Sequence, residues 1–312
     1  MYELHADDFG PFERCTLRHS TYPQEIQFIP DRGGCLISLR LEDQELLDGY
    51  TSPEEVEFNR WGKSGLLYPF PNRLEDGTYQ WQGKTYQFPC NDTTHQNALH
   101  GFGMQRPLVI TETQLSEERA VVRMSGEYDG SLHYYPWPFR VELSYHLYGP
   151  DSFWFEIAVQ NTGTTEIPMG LGWHPYFQLA ERAADCALRL PSVELIGIDA
   201  RMIPTGKRYA HTEFMTLKPI GATVLDNCFA VADTQAEVSA HLSGPRGTIR
   251  YWQETGPQKF NYLQVFTPPY GPSVALEPMT CNVDAFNNGD GLVSLQAGAE
   301  LRAKAGVQFM ID

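Results

Sequence analysis

Hydrophobic and polar residues alternate with a period of two along much of the chain, and the clearest case lies between positions 139 and 159. In the first half of this stretch, one face carries Phe139, Val141, Leu143, Tyr145 and Leu147. A Gly-Pro-Asp link follows at 149–151, and the alternation then resumes with Phe153, Phe155, Ile157 and Val159. Two alternating runs joined by a short turn predict an antiparallel β-hairpin.

Many other short segments have the composition of strands, whereas helical periodicity is scarce. We predict further strands at 26–30, 36–41, 78–81, 84–88, 108–113, 120–125, 237–242, 248–252, 261–266, 273–278 and 301–309. Short helical turns are predicted at 52–56, where Ser52 can act as the N-cap before Pro53, and at 284–288.

Short strands punctuated by 27 glycines and 22 prolines predict an all-β sandwich. We expect one domain over 1–312, in which two large antiparallel sheets pack face to face. The concave face of such a sheet presents a polar side chain at every second position. A site on that face can therefore combine residues that lie far apart in the sequence.

Composition narrows the functional classes. Hydrophobic residues make up 42% and charged residues 20% of the 312, which is typical of a globular chain. The formal net charge of −16, without a basic stripe, argues against a nucleic-acid partner. No run approaches the roughly 18 apolar residues of a membrane span, and the first residues lack the features of a signal peptide. Six cysteines without a C-x-x-C pair predict isolated buried thiols in a reducing compartment, so we expect a cytoplasmic protein.

Three titratable residues stand at the ends of apolar runs. His174 lies in GWHPYF at 172–177, His100 in NALHG at 97–101, and Glu277 in ALEPMT at 275–280. Two histidines and a carboxylate are the groups needed for general acid–base catalysis near neutral pH. A structural role for each is the alternative. The other histidines show no metal-ligand spacing, so we predict no metal site. The sequence also contains no Gly-rich phosphate loop.

More motifs accompany these three residues along the chain. Asn72-Arg73 precedes Gly-Thr-Tyr at 77–79, Asp226 follows an apolar run, Asn161 ends the second hairpin strand, and Asp284 follows the Glu277 segment. The ordered series Asn-Arg, Leu-His-Gly, His-Pro-Tyr-Phe, Leu-Asp and Leu-Glu-Pro-Met-Thr resembles the aldose 1-epimerase, or galactose mutarotase-like, family. The similarity extends from about residue 65 to the C-terminus.

The resemblance implies a β-supersandwich fold and the interconversion of the α and β anomers of a free sugar without a cofactor. By motif, it implies that Glu277 is the general base, His174 the general acid and His100 a second active-site histidine. Asn72, Arg73 and Asp226 then correspond to groups that bind sugar hydroxyls. In this mechanism, Glu277 and His174 are expected to face opposite edges of one sugar ring.

Several positions depart from the family pattern or have a structural alternative. Trp173, Gln178 and Phe102 stand where the better-known mutarotases tend to have Asn, Asn and Gly, which indicates a divergent subgroup and leaves the preferred sugar open. Trp173 and Phe102 are interpreted as core residues in preference to stacking platforms for a sugar. Arg73 has an alternative as a surface ion pair with an acid at 75–76, and Asp226 as a turn residue.

Other functions on the same fold stay open. A sugar-phosphate 1-epimerase would need additional cations near Arg73, and Lys63 or Arg106 could supply them. A carbohydrate-binding protein without catalysis, or an enzyme acting on polysaccharides in a long groove, are further alternatives. In each case the partner is a carbohydrate. For the epimerase and the binding protein it is a small-molecule sugar. We expect the protein to be a monomer or a homodimer.

Overall fold

The computed structural model describes residues 1–232, 235–269 and 271–311. Within these ranges, the first half of the chain forms β1 (Tyr2–Phe9), β2 (Phe12–His19), β3 (Glu25–Ile29), β4 (Cys35–Leu41), β5 (Gln44–Glu45), β6 (Leu66–Leu67), β7 (Arg73–Leu74), β8 (Thr78–Trp81), β9 (Lys84–Gln87), β10 (Ala98–Leu99), β11 (Val109–Leu115), β12 (Arg119–Tyr128), β13 (Phe139–Tyr148) and β14 (Ser152–Asn161).

The second half forms β15 (Ile167–Met169), β16 (Gly172–Trp173), β17 (Tyr176–Phe177), β18 (Ala187–Arg189), β19 (Val193–Ile198), β20 (Pro204–His211), β21 (Lys218–Pro219), β22 (Asp226–Val231), β23 (Glu237–Gly244), β24 (Gly247–Glu254), β25 (Tyr262–Phe266), β26 (Val274–Met279), β27 (Val293–Leu295) and β28 (Glu300–Met310). Two α-helices are described, α1 (Pro53–Glu57) and α2 (Ala285–Asn288). Short 3₁₀ turns occupy Pro30–Arg32, Arg60–Gly62, Glu75–Gly77, Gly103–Gln105 and Ala183–Asp185.

Two large antiparallel sheets dominate the fold. One has nine strands in the order β11-β12-β13-β14-β28-β24-β23-β18-β21. The other has eight, in the order β20-β19-β22-β25-β26-β16-β6 with β17 also paired to β26. A five-stranded sheet, β1 to β5, and three two-stranded sheets complete the described strands. The all-β class with two large sheets is therefore confirmed, and every predicted strand overlaps an observed one.

The predicted hairpin is β13 and β14, which pair antiparallel from Phe139–Asn161 to Tyr148–Ser152. All nine apolar residues that the alternation placed on one face are buried. Register explains this, because side chains along a strand point alternately to opposite faces and only one face of this pair is covered.

The two large sheets pack against each other through aromatic rings. Phe155 of β14, in the nine-stranded sheet, lies 4.8 Å centroid to centroid from Trp173 of β16, in the eight-stranded sheet. Trp173 is only 1% exposed, so it is a core residue as expected. The five-stranded sheet joins the same core, since Phe28 lies 5.5 Å from Tyr145 in an edge-to-face contact.

Both predicted helical turns are present. Ser52 caps α1 by accepting a hydrogen bond from the Glu55 backbone N–H at 3.3 Å. Five of the six cysteines are buried free thiols as expected, whereas Cys90 is free but exposed. Neither helix in the described ranges is long and apolar enough to cross a membrane.

Several strands were not predicted from the sequence. In β1 and β20, most side chains are exposed, so these strands carry little apolar alternation. Their ladders depend on pairing with β2 and β19, a tertiary effect that local propensity does not report.

Candidate active site

A cavity of about 260 Å³ collects all six residues that the sequence singled out for a site. Its lining combines titratable, amide, aromatic and sulfur-containing side chains from loops and strands that are distant in sequence. They are Asn59, Trp61, Gly62, Asn72, Arg73, Asn91, Leu99, His100, Met104, His174, Tyr176, Asp226, Gln264, Phe266 and Glu277.

The floor of the cavity is the eight-stranded sheet. Asp226 begins β22, Gln264 lies in β25 and Glu277 in β26, and these three strands are neighbours. Gln264 is directly opposite Glu277, and Asp226 is opposite Phe266. Because residues two apart on a strand share a face, the register brings the carboxylates and the amide to one side of the sheet.

Glu277 and His174 are in contact at this floor. Their Oε1 and Nε2 atoms are 3.4 Å apart, and the two residues are 2% and 6% exposed. The His174 ring stacks on Tyr176 with centroids 4.7 Å apart and planes 12° from parallel. Backbone hydrogen bonds fix the histidine, since its N–H donates to the Gly65 carbonyl at 3.0 Å and its carbonyl accepts from the Ser64 N–H at 2.8 Å.

Burial sets the protonation of this pair. It raises the pKa of Glu277 well above its usual value, with the nearby charge of Asp226 adding to the rise and Arg73 opposing it. Burial lowers the pKa of His174 to about 3. A charged form of either group is disfavoured in a dry site unless the other neutralises it. Burial thus favours the neutral carboxyl of Glu277 and the neutral imidazole of His174.

The contact between Glu277 and His174 changes one expectation from the sequence. Two groups 3.4 Å apart are too close together to lie on opposite edges of a pyranose ring, which is the arrangement that the sequence-based mechanism supposed. They are close enough to reach two neighbouring atoms at one corner of such a ring. The anomeric carbon carries both the hydroxyl oxygen O1 and the ring oxygen O5, so one corner contains both atoms that exchange protons in anomerisation.

The wall of the cavity is built from loops around β7 and β10. Asn72 and His100 both have positive φ angles, 56° and 65°, which non-glycine residues seldom adopt. They hold each other in place. The His100 backbone N–H donates to the Asn72 carbonyl at 2.8 Å, and the Asn72 N–H donates to His100 Nδ1 at 3.2 Å.

His100 is therefore a neutral imidazole with its proton on Nε2, because Nδ1 accepts the backbone hydrogen bond. Burial lowers the pKa of His100 well below its usual value, and the charges of His174 and Arg73 lower it further. Its ring meets that of His174 edge to face with centroids 5.1 Å apart. A neutral Nε2–H is suited to donate a hydrogen bond to a sugar oxygen.

Arg73 does not form the ion pair with Glu75 or Asp76 that was the sequence-based alternative. Its Nε donates to Asp92 Oδ2 at 2.9 Å, and its Nη1 donates to Asn72 Oδ1 at 3.2 Å. Glu75 and Asp76 pair instead with Arg201, at 3.4 and 2.7 Å. The sequence did not identify Asp92, because it stands in a turn 19 positions from the arginine that it orients.

Asp226 is placed by a hydrogen bond from Gln264 Nε2 to its Oδ1, at 2.7 Å. Burial raises its pKa, and the positive charge of Arg73 opposes this rise. Gln264 is buried and was also missed from the sequence, because it stands in an otherwise apolar strand. The single amide at an inward position opposite Glu277 is the signal that could have revealed it.

Other residues considered from the sequence lie outside the cavity lining. Phe102 is 6% exposed and packs among core aromatics. Asn161 caps backbone carbonyls of Thr165 and Leu295, and Asp284 accepts from the Glu75 N–H. These are structural contacts. Gln178 does not contribute to the lining.

The cations proposed for a phosphate site do not reach the cavity lining. Lys63 pairs with Asp48 at 2.7 Å, and the Arg106 guanidinium lies over the Phe102 and Tyr128 rings. Arg73 is the one cationic side chain among the described lining residues, beside the carboxylates of Asp226 and Glu277. Across the three described ranges, no cluster of three or more His, Cys, Asp or Glu side chains has the arrangement of a metal site.

Comparison with known proteins gives a consistent result. A family model for aldose 1-epimerase matches residues 25–308. The uncharacterized protein YihR of Escherichia coli K12 is 29% identical over 256 residues, which is 79% of this chain and 78% of that protein.

Solved structures share the fold at low sequence identity. A galactose mutarotase-like protein from Clostridium acetobutylicum superposes with a TM-score of 0.86 at 20% identity, over 100% of this chain and 99% of the other. A galactose 1-epimerase from Lactobacillus acidophilus NCFM gives a TM-score of 0.81 at 16% identity, over 99% and 98% of the two chains.

Proposed function

This chain belongs to the aldose 1-epimerase family, and we propose that it interconverts the α and β anomers of a free aldopyranose by acid–base opening and reclosure of the ring. The observation that carries the proposal is the buried contact of 3.4 Å between Glu277 and His174 at the floor of a small cavity. A site that only binds sugar has no need of a buried acid–base pair. The contact therefore favours catalysis over a binding protein.

Ring opening requires one proton to leave O1 and one to reach O5. Glu277 takes the proton from O1 as the O1–C1 bond becomes a carbonyl, and His174 gives its proton to O5 as the C1–O5 bond breaks. Rotation about the C1–C2 bond then presents the other face of the carbonyl. The ring closes with the two proton transfers reversed, and the opposite anomer leaves. Positioned acid and base groups of this kind contribute on the order of 10²–10⁴-fold each.

A proton on the Glu277 carboxyl, which lies 3.4 Å from His174 Nε2, allows the proton transfers to begin without solvent. Burial alone favours a protonated Glu277 and a neutral His174. Transfer of the proton across the contact gives the carboxylate and imidazolium that ring opening uses. Hydroxyl groups of the sugar that donate to the carboxylate stabilise this form.

The surrounding polar groups bind and orient the sugar. Two N–H groups on Arg73 Nη2 have no described protein partner and suit adjacent hydroxyls. Asn72 holds that guanidinium through its Oδ1, and the Nε2–H of His100 is available to a sugar oxygen. Asp226 and Gln264 together offer a carboxylate acceptor and an amide on the floor.

A neutral monosaccharide is the substrate that this cavity favours. Two carboxylates and one arginine among its described lining residues give no excess positive charge for a phosphate group. A volume of about 260 Å³ is that of a site for one small ligand and not of a long groove for a polysaccharide.

Polarimetry on freshly dissolved α-D-glucose and α-D-galactose tests the proposal directly. We expect the optical rotation to relax faster in proportion to the protein added. Glucose 6-phosphate, measured in parallel, is expected to relax more slowly per protein than glucose. Equal decay with and without protein for every free aldose tried would refute catalysis and leave a binding function.

A further inference from the structure

Trp61 is an exposed tryptophan at the mouth of the cavity. It is 44% exposed and contributes to the lining, whereas the other five tryptophans, all within the described ranges, are buried or half-buried. An aromatic side chain that both lines a cavity and reaches solvent can offer its apolar face to a ligand.

The backbone around Trp61 is held in a conformation that side chains rarely adopt. In the Trp61 loop, residues 58–65, φ is 48° at Asn59, 62° at Trp61 and 52° at Ser64. For a bulky residue a positive φ is an outlier, and such outliers cluster at functional sites. Positive φ at three side-chain-bearing positions in one short loop is difficult to explain by chain reversal alone, because glycines would adopt it without strain.

Hydrogen bonds tie this loop to the catalytic pair. The Tyr176 hydroxyl donates to the Trp61 carbonyl at 3.1 Å, and the Tyr176 ring is the one that stacks on His174. A Cβ placed on the neighbouring Gly62 would lie 3.8 Å from His174 Cδ2. The backbone that carries the indole is therefore held at a fixed place relative to the His174 imidazole.

The cavity lining has an apolar group of side chains besides its polar one. Trp61, Met104 and Phe266 supply aromatic and thioether surface, while Arg73, Asp226 and Gln264 supply hydrogen-bonding groups. A pyranose has the same two characters, since its hydroxyls project around the edge and its C–H groups form the faces. A ring bound by its hydroxyls and held at its anomeric corner leaves a C–H face to be covered.

Resting on the proposed function, we propose that Trp61 stacks on the C–H face of the bound aldopyranose and is a residue that determines specificity. The Trp173 and Phe102 rings, the two aromatics considered for such a role from the sequence, are both buried in the core. The Trp61 indole covers this C–H face, and a sugar with a hydroxyl group projecting from that face binds more weakly.

The test compares Trp61→Phe and Trp61→Ala with the wild-type protein on D-galactose, D-glucose and D-xylose. Mutarotation is followed by polarimetry, and binding by intrinsic tryptophan fluorescence during titration with each sugar. For Trp61→Ala we expect KM of the best sugar to rise about tenfold, which corresponds to ~1.4 kcal/mol of lost binding. We expect kcat to change by less than about threefold, because stacking binds the ground state and the transition state alike.

Trp61→Phe separates stacking from mere bulk or stability. It keeps an aromatic platform, so KM is expected to stay within about twofold of wild type. It removes the exposed indole at the cavity, so the fluorescence change on adding sugar is expected to fall by at least about half. The matched control is Phe58→Ala, which removes a 76% exposed aromatic from the same loop but outside the cavity lining and is expected to change neither readout.

Three outcomes overturn the inference. The first is a KM for Trp61→Ala within twofold of wild type for every sugar. The second is a fluorescence response to sugar that is as large in Trp61→Phe as in wild type. The third is a wild-type protein that responds to no sugar. The fluorescence titration needs no turnover. A wild-type protein that binds sugar through Trp61 without accelerating mutarotation therefore refutes the proposed function alone, and normal turnover with an indifferent Trp61→Ala refutes the stacking role alone.

Discussion

The floor and the wall of the cavity are positioned by different means. Asp226, Gln264 and Glu277 on the floor belong to three adjacent strands, so the hydrogen-bond ladder of the sheet sets their spacing. The wall residues Asn72 and His100 stand in loops with positive φ and depend on a few hydrogen bonds to one another. The floor is thus fixed by the fold as a whole, whereas the wall is fixed locally and at some cost in backbone strain.

This difference suggests a division of labour. A proton transfer tolerates little displacement of the reacting atoms, and a position in a central strand gives that precision. Recognition of sugar hydroxyls can be altered by changing loops while the sheet stays the same. On the proposed function, we expect departures from the family pattern next to the site to affect which sugar binds more than whether the ring opens.

The largest effect is expected from the floor. Glu277→Gln keeps the shape of the side chain but removes the proton acceptor, so we expect kcat to fall by at least about 100-fold. Sugar binding, measured by calorimetry, is expected to persist. Retention of more than about a tenth of wild-type kcat would contradict the base assignment.

A matched control for that variant is Glu156→Gln. Glu156 is also a strand-borne carboxylate, but it lies on the nine-stranded sheet away from the cavity and pairs with Arg302 and Lys304. Its kcat is expected to stay within about twofold of wild type. A comparable loss in both variants would indicate general damage instead of a catalytic role.

The wall is expected to be sensitive to backbone crowding. Gly101 follows His100 and has a φ of +61°, and a Cβ there would lie 2.3 Å from the Tyr68 carbonyl oxygen. We expect Gly101→Ala to lower the free energy of unfolding by about 3 kcal/mol. Displacement of His100 is expected to reduce kcat/KM about tenfold.

Gly83→Ala is the control for Gly101→Ala, because it has the cost of a positive φ without the steric clash of the added Cβ. Gly83 has a φ of +75°, yet a Cβ there would have no neighbour within 4 Å. It is expected to cost about 1 kcal/mol and to leave kcat/KM unchanged. Urea denaturation and polarimetry of the two variants measure both quantities, and equal losses in the pair would show that the wall is not tightly packed at Gly101.

The smallest effect is expected from moderate acidification. On the proposed mechanism, the pair needs one proton. Burial lowers the pKa of His174 to about 3, so a second proton binds only in strong acid. Burial raises the pKa of Glu277, so the first proton leaves only above that raised value. Activity is therefore lost as pH rises through the Glu277 value or falls toward the His174 value. We expect kcat/KM to change by less than about twofold from about pH 7 to about pH 5. A steep fall over that interval would mean that Glu277 titrates on its own and must start as a carboxylate.

Sequence reasoning identified residues of both regions, Glu277 and Asp226 on the floor and Asn72 and His100 on the wall, but not how the wall is held. Alternation and strand-like composition located 13 of the 28 described strands. Glu277 and Asp226 stood out because a carboxylate at the boundary of an apolar run is unusual. Gln264 escaped notice because an amide in an apolar strand has meaning only once its cross-strand neighbour is known. The geometry of the wall loops could not be predicted for the same reason, because it depends on hydrogen bonds between Asn72 and His100, which are distant in sequence.

Trp61 and Asp92 show what a single sequence lacks. Asp92 acts through Arg73, and the Trp61 loop is held by hydrogen bonds from the Tyr176 hydroxyl to the Trp61 carbonyl and from the Ser64 N–H to the His174 carbonyl. Neither contact follows from local pattern, since both join segments separated by turns of unpredictable path. The aromatics that local pattern did suggest, Trp173 and Phe102, serve the core instead.

On the proposed mechanism, one proton passes between Glu277, His174 and the sugar, so each turnover is electroneutral. The proton that leaves the Glu277 carboxyl reaches the His174 imidazole and then the sugar, and the sugar returns a proton to the carboxyl. No counterion therefore needs to enter the protein interior. Either anomer meets an equivalent starting arrangement, and the two directions of the reaction use the same machinery. Such a catalyst speeds the approach to the equilibrium ratio of the two anomers and does not change that ratio.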